Sequence, residues 1–328
     1  SAGGGVMTDA ADGTVAIGYY ALNALTTGAK NVAIGYTALA ACTEGDDNIA
    51  IGHSALSVMA GASGGAKSNV GDSNIAIGRD AMSAVDAGTH DDAVSDSNIA
   101  IGTNALMGGD FVAADLDLIG NIAIGYAALD NTGANDQTGT IAIGYNALTT
   151  LSSGNYNSAI GYEAGLHVST GGGNTYIGYN AGKGAGGAGG IDNNTAVGTN
   201  AGLLLQGAAD ANTFLGKAAG ATLTEGTNNV VVGEGSNTDD ATATNQTVLG
   251  TATTGVADNS VTLGNGSVTA VYMAEDSGAT VHCTSVTVKE TTTPSALADH
   301  GKIYTKNDNK LYFQDGAGTE YYVDITAV

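Results

Sequence analysis

Asn121-Ile122-Ala123-Ile124-Gly125, followed after two variable residues by Ala128-Leu129, is one copy of a phrase that recurs along most of this chain. Asn31-Val32-Ala33-Ile34-Gly35 with Ala38-Leu39 is another, as is Asn48-Ile49-Ala50-Ile51-Gly52 with Ala55-Leu56. The closing glycine falls at 18, 35, 52, 78, 102, 125, 144, 161, 178, 198, 216, 233, 250 and 264. The commonest spacing is 17, and the longer gaps of 26, 24 and 23 after Gly52, Gly78 and Gly102 read as insertions into one unit. Repetition at a fixed period marks a solenoid, in which each unit buries its apolar face only by stacking on its neighbours.

Within the phrase, the residue before the glycine is Ile, Leu or Val in all fourteen copies, and the residue two places earlier is Val, Ile, Thr or once Ser. Side chains alternate along a strand, so these two share one face. The other face carries the glycine, usually an alanine two residues before it, and an asparagine four residues before it in ten copies. The branched face is expected to be the core, with Ile34, Ile51, Ile77, Ile101, Ile124, Ile143, Ile160 and Ile177 stacked along it. The smooth alanine and glycine strip is expected to pack against another copy of the chain. The asparagines are expected either to form an amide ladder or to open each strand as turn residues.

The Ala-Leu element that follows each glycine reads as a second short strand of the coil. From Glu163 onward it becomes Ala-Gly, at Ala164-Gly165, Ala181-Gly182, Ala201-Gly202 and Ala219-Gly220. The fold class expected is therefore all-β: a parallel β-roll solenoid of about 14 coils with a small C-terminal β-meander. A lead-in at 1–13, a repeat domain at 14–267, a transition and linker at 268–299 and a cap at 300–328 divide the chain. In the transition, Ala279, Val281 and Cys283 alternate, and Pro294 marks a linker. The cap reads as three strands, Lys302–Lys306, Lys310–Gln314 and Glu320–Ile325.

Composition agrees with a thin repeat array. Fifty-two glycines, no tryptophan and three phenylalanines leave little bulk for a large rounded core, while 43% apolar residues are too many for disorder. A net charge of −23 opposes nucleic acid and anionic membrane as partners. No segment approaches the apolar length of a membrane helix, so membrane insertion is not expected.

Three features of the sequence bear on chemistry. The histidines His53, His90, His167, His282 and His300 stand in unrelated contexts, and Cys42 and Cys283 read as isolated thiols, so no catalytic residue, metal site or cofactor is expected. Gly182-Lys183-Gly184-Ala185-Gly186-Gly187 matches a dinucleotide-binding pattern only formally, with no helix pattern after it. Asp91, Asp92 and Asp96, and Asp110, Asp115 and Asp117, are acidic clusters in insertions without the spacing of a calcium loop.

The repeat Asn-x-Ala-Ile-Gly-x-x-Ala resembles the head repeat of trimeric autotransporter adhesins. The longer form at Asn157-Ser158-Ala159-Ile160-Gly161-Tyr162-Glu163-Ala164-Gly165 is similar to repeats of phage tail-fibre proteins. The resemblance spans residues 14–267 and implies a left-handed roll, a homotrimer and an adhesive role. With no heptad stalk and no run of barrel strands, it favours a non-enzymatic phage fibre at the virion surface, in a tail or capsid fibre, that touches a host cell-surface receptor, either glycan or protein. The alternatives are a bacterial trimeric surface adhesin, extracellular at the cell surface, and a polysaccharide-degrading tail spike. Receptor contacts are expected in the insertions at 57–73, 83–97 and 107–120.

Overall fold

A computed structural model describes residues 12–58, 71–84, 94–108, 117–133, 135–186, 188–271, 283, 285–286, 302–306, 308 and 310–323. Two compact units are present, Ser1–Thr269 and Ala270–Val328.

The first unit is a parallel β-solenoid without helices among its described residues. Its main wall is one sheet of fourteen three-residue strands, beginning Val15–Ile17, Val32–Ile34 and Ile49–Ile51 and ending Thr247–Leu249 and Val261–Leu263. Each strand pairs with the next copy of the phrase in strict register, so that Ile51 lies against Ile77 and Ile77 against Ile101. At the usual spacing of parallel strands, about 4.8 Å, the sheet is ~60 Å long. Shorter rows form where the loop ahead of the asparagine runs extended: Val94–Asp96, Asp117–Ile119 and Gln137–Thr138 form one, and Val168–Thr170 and Ala188–Gly190 another. The Ala-Leu element is not the second strand expected from the sequence. It is a turn, with Leu22, Leu39, Leu56, Leu106, Leu129 and Leu148 held at φ between 47° and 52°.

The repeated glycine is required twice over. From Gly18 to Gly250 it takes φ of 129–145°, a corner that side chains avoid. A Cβ on Gly35 would also lie 2.1 Å from the carbonyl oxygen of Gly52 in the next coil. At this corner one backbone rests directly on another, and the amide of Gly35 donates to the Ile17 carbonyl at 2.8 Å.

The interior reverses the expected assignment of the two faces. Ala33, Ala50, Ala76, Ala100, Ala123 and Ala142 at the strand centres are fully buried, together with the turn residues Leu39, Leu56, Met82, Leu106, Leu129 and Leu148. Ile34, Ile51, Ile77, Ile101, Ile124, Ile143, Ile160 and Ile177 do stack, but none is buried: they form the outer surface of the single chain. The reason is width. A coil of about 17 residues closes so tightly that alanine on one wall and leucine on the other fill it, leaving no room for a second branched row.

The asparagine column is an internal amide ladder. Asn31, Asn48, Asn74, Asn98, Asn121, Asn157, Asn174, Asn194, Asn212 and Asn229 are all fully buried. Asn98 is typical: its backbone N–H and its Nδ2 both donate to Asn74 Oδ1, at 3.0 and 3.1 Å, and Nδ2 also donates to the Leu118 carbonyl at 2.7 Å. Each amide thus satisfies a loop carbonyl and a backbone N–H that would otherwise be buried without partners.

The second unit contains the expected antiparallel meander, Lys302–Thr305, Leu311–Gln314 and Glu320–Val323, with Tyr304 paired to Tyr312 and Tyr312 to Tyr322. The turn residues Asn307 and Asn309, the strand's end at Asp324 and Ile325, and Ala279, Val281 and Pro294 lie outside the described residues.

Candidate contact surface of the solenoid

Two outward columns of the main sheet are aliphatic. One runs through Val32, Ile49, Ile75, Ile99, Ile122 and Ile141 and changes to Ser158, Thr175, Thr195 and Thr213 further along. The other keeps its aliphatic character from Ile17 to Leu263, with Ile17 57%, Ile160 40% and Leu215 49% exposed. No described residue covers it. Monomeric soluble proteins rarely leave apolar surface open over such a length.

Around the glycine corner stands a third column, which the sequence reading passed over. Tyr126, Tyr145, Tyr162 and Tyr179 each directly follow the repeat glycine, and their rings stack at 5.1, 5.1 and 5.3 Å between centroids with planes within 13° of parallel. Tyr19, Tyr36 and His53 form a shorter stack of the same kind, at 5.5 and 5.0 Å. The signal was present as tyrosine at one fixed offset in six copies; a count centred on the aliphatic positions does not register it.

A column of carboxylates runs on the loop side. Asp72 Oδ1 accepts the Asp46 N–H, and Asp96 Oδ1 accepts the Asp72 N–H, each at 2.8 Å. Asp210 does the same for Asp192 at 2.8 Å. Partial burial and the neighbouring Asp96, Asp46 and Asp47 hold the Asp72 carboxyl above the ordinary carboxylate range. These are side-chain bonds of the wall itself. Among the described residues no group of three histidines, cysteines or carboxylates is placed to hold a metal. Of the acidic insertion residues, Asp96 belongs to this column and the Asp117 N–H donates to Asp136 Oδ1 at 2.9 Å, while Asp91, Asp92, Asp110 and Asp115 lie outside the described residues.

His53 has Ser54 Oγ at 2.9 Å and Asp80 Oδ1 at 3.8 Å, a superficially catalytic set. Both approach the same ring nitrogen, Nδ1, whereas a proton relay needs the carboxylate on one nitrogen and the hydroxyl on the other. Burial pushes the Cys42 thiol up to about 11, which makes it a poor nucleophile. Cys283 is exposed, and both cysteines are free. Gly182 of the glycine-rich stretch packs against the Tyr176 ring instead of opening a helix.

In the second unit the two sheet faces differ. On one, Tyr304 and Tyr312 are mostly covered, Tyr304 Oη bonds Glu320, and Lys306 Nζ lies 4.3 Å from the Tyr312 ring centre. On the other, Ile303, Phe313, Tyr321 and Val323 are each about half exposed or more. Of the three insertions, only the flanks 57–58, 71–73, 83–84, 94–97, 107–108 and 117–120 are described, so the loop tips expected to meet a receptor lie outside the described residues. Comparison with protein-family models, with curated proteins and with solved structures finds no match for this chain.

Proposed function

We propose that the chain is a non-enzymatic structural subunit of a homotrimeric fibre that attaches a virion to its host-cell receptor. One observation carries this reading: the outward column from Ile17 to Leu263 stays aliphatic through all fourteen strands and is open on the single chain. At about 25 cal/mol per Å² of apolar surface, covering such a face with identical chains outweighs the cost of association. Strict register places one aliphatic residue of this column on every strand, so parallel copies meet isoleucine to isoleucine from Ile17 to Ile177 and valine or leucine to its like from Val197 to Leu263. The count of three and the adhesive role rest on the resemblance of the Asn-x-Ala-Ile-Gly repeat to trimeric adhesin heads and phage fibres. The alanine strip is interior, so the contact between chains falls to the isoleucine face.

Sedimentation equilibrium tests the assembly. Three times the chain mass at micromolar concentration is expected, and Ile101→Lys with Ile124→Lys is expected to shift the population toward single chains without loss of β-sheet signal. A wild-type chain that sediments as a monomer would overturn the proposal. Deleting 59–70, 85–93 and 109–116 tests attachment: the shortened protein is expected to keep its mass and lose cell binding.

A further inference from the structure

We infer that the tyrosine column is a binding strip for an extended, uncharged polysaccharide lying along the solenoid. The inference gives a ligand class to the attachment proposed above, and rests on that reading only for the claim that the surface meets a cell.

The fold does not call for aromatic residues at this position. The same place after the glycine is held by Arg79, Thr103, Thr199, Lys217, Glu234 and Thr251 in other coils, whose strands pair in the same register. Four consecutive tyrosines, 43–51% exposed, are therefore a choice made for the surface. Because the rings cover one another's faces, they offer the solvent their edges, which carry the positive end of the ring quadrupole, and their hydroxyls. Beside Tyr162, the Glu163 carboxylate accepts from Lys183 Nζ at 2.6 Å and raises the pKa of the Tyr162 hydroxyl. The hydroxyls of Tyr126, Tyr145 and Tyr179 have no hydrogen-bond partner among the described residues.

The neighbouring column is polar beside three of the four tyrosines, at Asn146, Glu163 and Asn180. Asn180 directly follows Tyr179, and Asn200 holds the same place in the next coil; the Oδ1 atoms of both are shielded from water and unpartnered. Both oxygens are closed to solvent, so they lie beneath the strip and are not themselves offered to a ligand. The strip thus presents a tyrosine ring edge and its hydroxyl once per coil over four coils, with the rings 5.1–5.3 Å apart. Its ligand must itself repeat, expose hydroxyls and C–H groups together, and carry no negative charge, since the chain stands at −23. A neutral polysaccharide meets all three conditions; nucleic acid and acidic polysaccharides fail the last.

Affinity electrophoresis of the full chain tests this, in native gels containing hydroxyethylcellulose, galactomannan or dextran, with alginate as the polyanionic contrast. Retardation is expected in at least one neutral gel and not in alginate. The chain has fourteen tyrosines and no tryptophan, so tyrosine emission reports the same binding in solution. Tyr145→Ala with Tyr162→Ala is expected to weaken binding about tenfold or more, as loss of aromatic anchors does. Tyr145→Phe with Tyr162→Phe, which removes only the hydroxyls, is expected to weaken it less. Free migration in all three neutral gels overturns the strip, as does unchanged retardation of the alanine variant. So does dissociation of the assembly by that variant, which would make the column a contact between chains. Sedimentation of the same samples separates the two readings. A trimer that is not retarded refutes the strip alone, and a retarded monomer refutes the fibre alone.

Discussion

The coil closing at Gly144 and the coil closing at Gly216 solve the same packing problem in opposite ways. In the first, the strand centre is Ala142 and the turn carries Leu148; in the second, the strand centre is Phe214 and the turn carries Gly220. All four positions are interior, and the turn keeps its geometry, with φ of 50° at Leu148 and 61° at Gly220. Glycine is therefore not needed there for the backbone, since leucine adopts the same conformation in six coils at a cost of about 1–2 kcal/mol each. It is needed for space. A Cβ on Gly220 would lie 2.1 Å from Phe214 Cδ1, and one on Gly182 would lie 2.1 Å from Tyr176 Cδ1. The volume inside the coil is fixed, and the two walls share it.

The most damaging way to break this comparison is to place the large residue on both walls. Gly220→Leu drives a branched side chain into the Phe214 ring and is expected to destabilise by about 3 kcal/mol or more, read as a fall in the urea midpoint. Phe214→Ala with Gly220→Leu rebuilds the arrangement of the early coils and is expected to recover part of that loss. Recovery stays incomplete because the Phe214 ring also fills the space beside Gly202, with Cδ2 2.9 Å from a Cβ built there. If the double variant is no more stable than Gly220→Leu alone, volume sharing is wrong.

Much of this was legible in the sequence, and the part that was not has a physical cause. Register followed from the glycine count, because a corner that only glycine occupies pins every strand, and the pairing of Ile51, Ile77 and Ile101 agrees. The meander followed from alternation around two turns. The inside and outside of the sheet did not follow, because neither face carries charge and bulk normally marks the core. The deciding clue was the change from Ala-Leu to Ala-Gly, which begins just where strand centres enlarge to Tyr176 and Phe214. A turn residue that shrinks as a strand centre grows must face it. The tyrosine column, by contrast, has no packing consequence that a core-seeking pattern can register.

A second contrast lies along the amide ladder, which runs in both halves but is interrupted at Thr140. Removing a member from the intact stretch tests its worth. Asn194→Ala leaves the Ala209 carbonyl, now 2.6 Å from Nδ2, and the Asn212 N–H, 3.0 Å from Oδ1, buried without partners. The expected loss is about 2–4 kcal/mol, with hydrogen exchange rising in the adjoining coils and not throughout the array. Repairing the interruption should have the opposite sign. Thr140 receives nothing at its buried Oγ1, although its N–H donates to Asn121 Oδ1 at 2.9 Å. Thr140→Asn extends the ladder toward Asn157 and is expected to stabilise by about 1 kcal/mol in urea unfolding. An unchanged or lower midpoint would mean that the ladder is tolerated there and does not stabilise.

The smallest effect separates the charged column from the neutral one. Asp72 accepts the Asp46 N–H at 2.8 Å, and farther along Asn155 accepts the Thr138 N–H at 2.9 Å with an amide oxygen instead. The bond therefore needs an oxygen and not a charge. Burial and the neighbouring aspartates hold the Asp72 pKa above its unfolded value, so as pH rises the unfolded chain releases this proton first. Stability then falls with pH between the unfolded and folded values and is level above both. Asp72→Asn keeps the bond and removes that slope. Solvent screens a group this exposed, so a gain of only about 0.5 kcal/mol is expected at pH 7, shrinking toward zero below pH ~4. A variant less stable than wild type at neutral pH would show instead that the carboxylate's charge strengthens its bond to the Asp46 amide by more than its acidic neighbours oppose it.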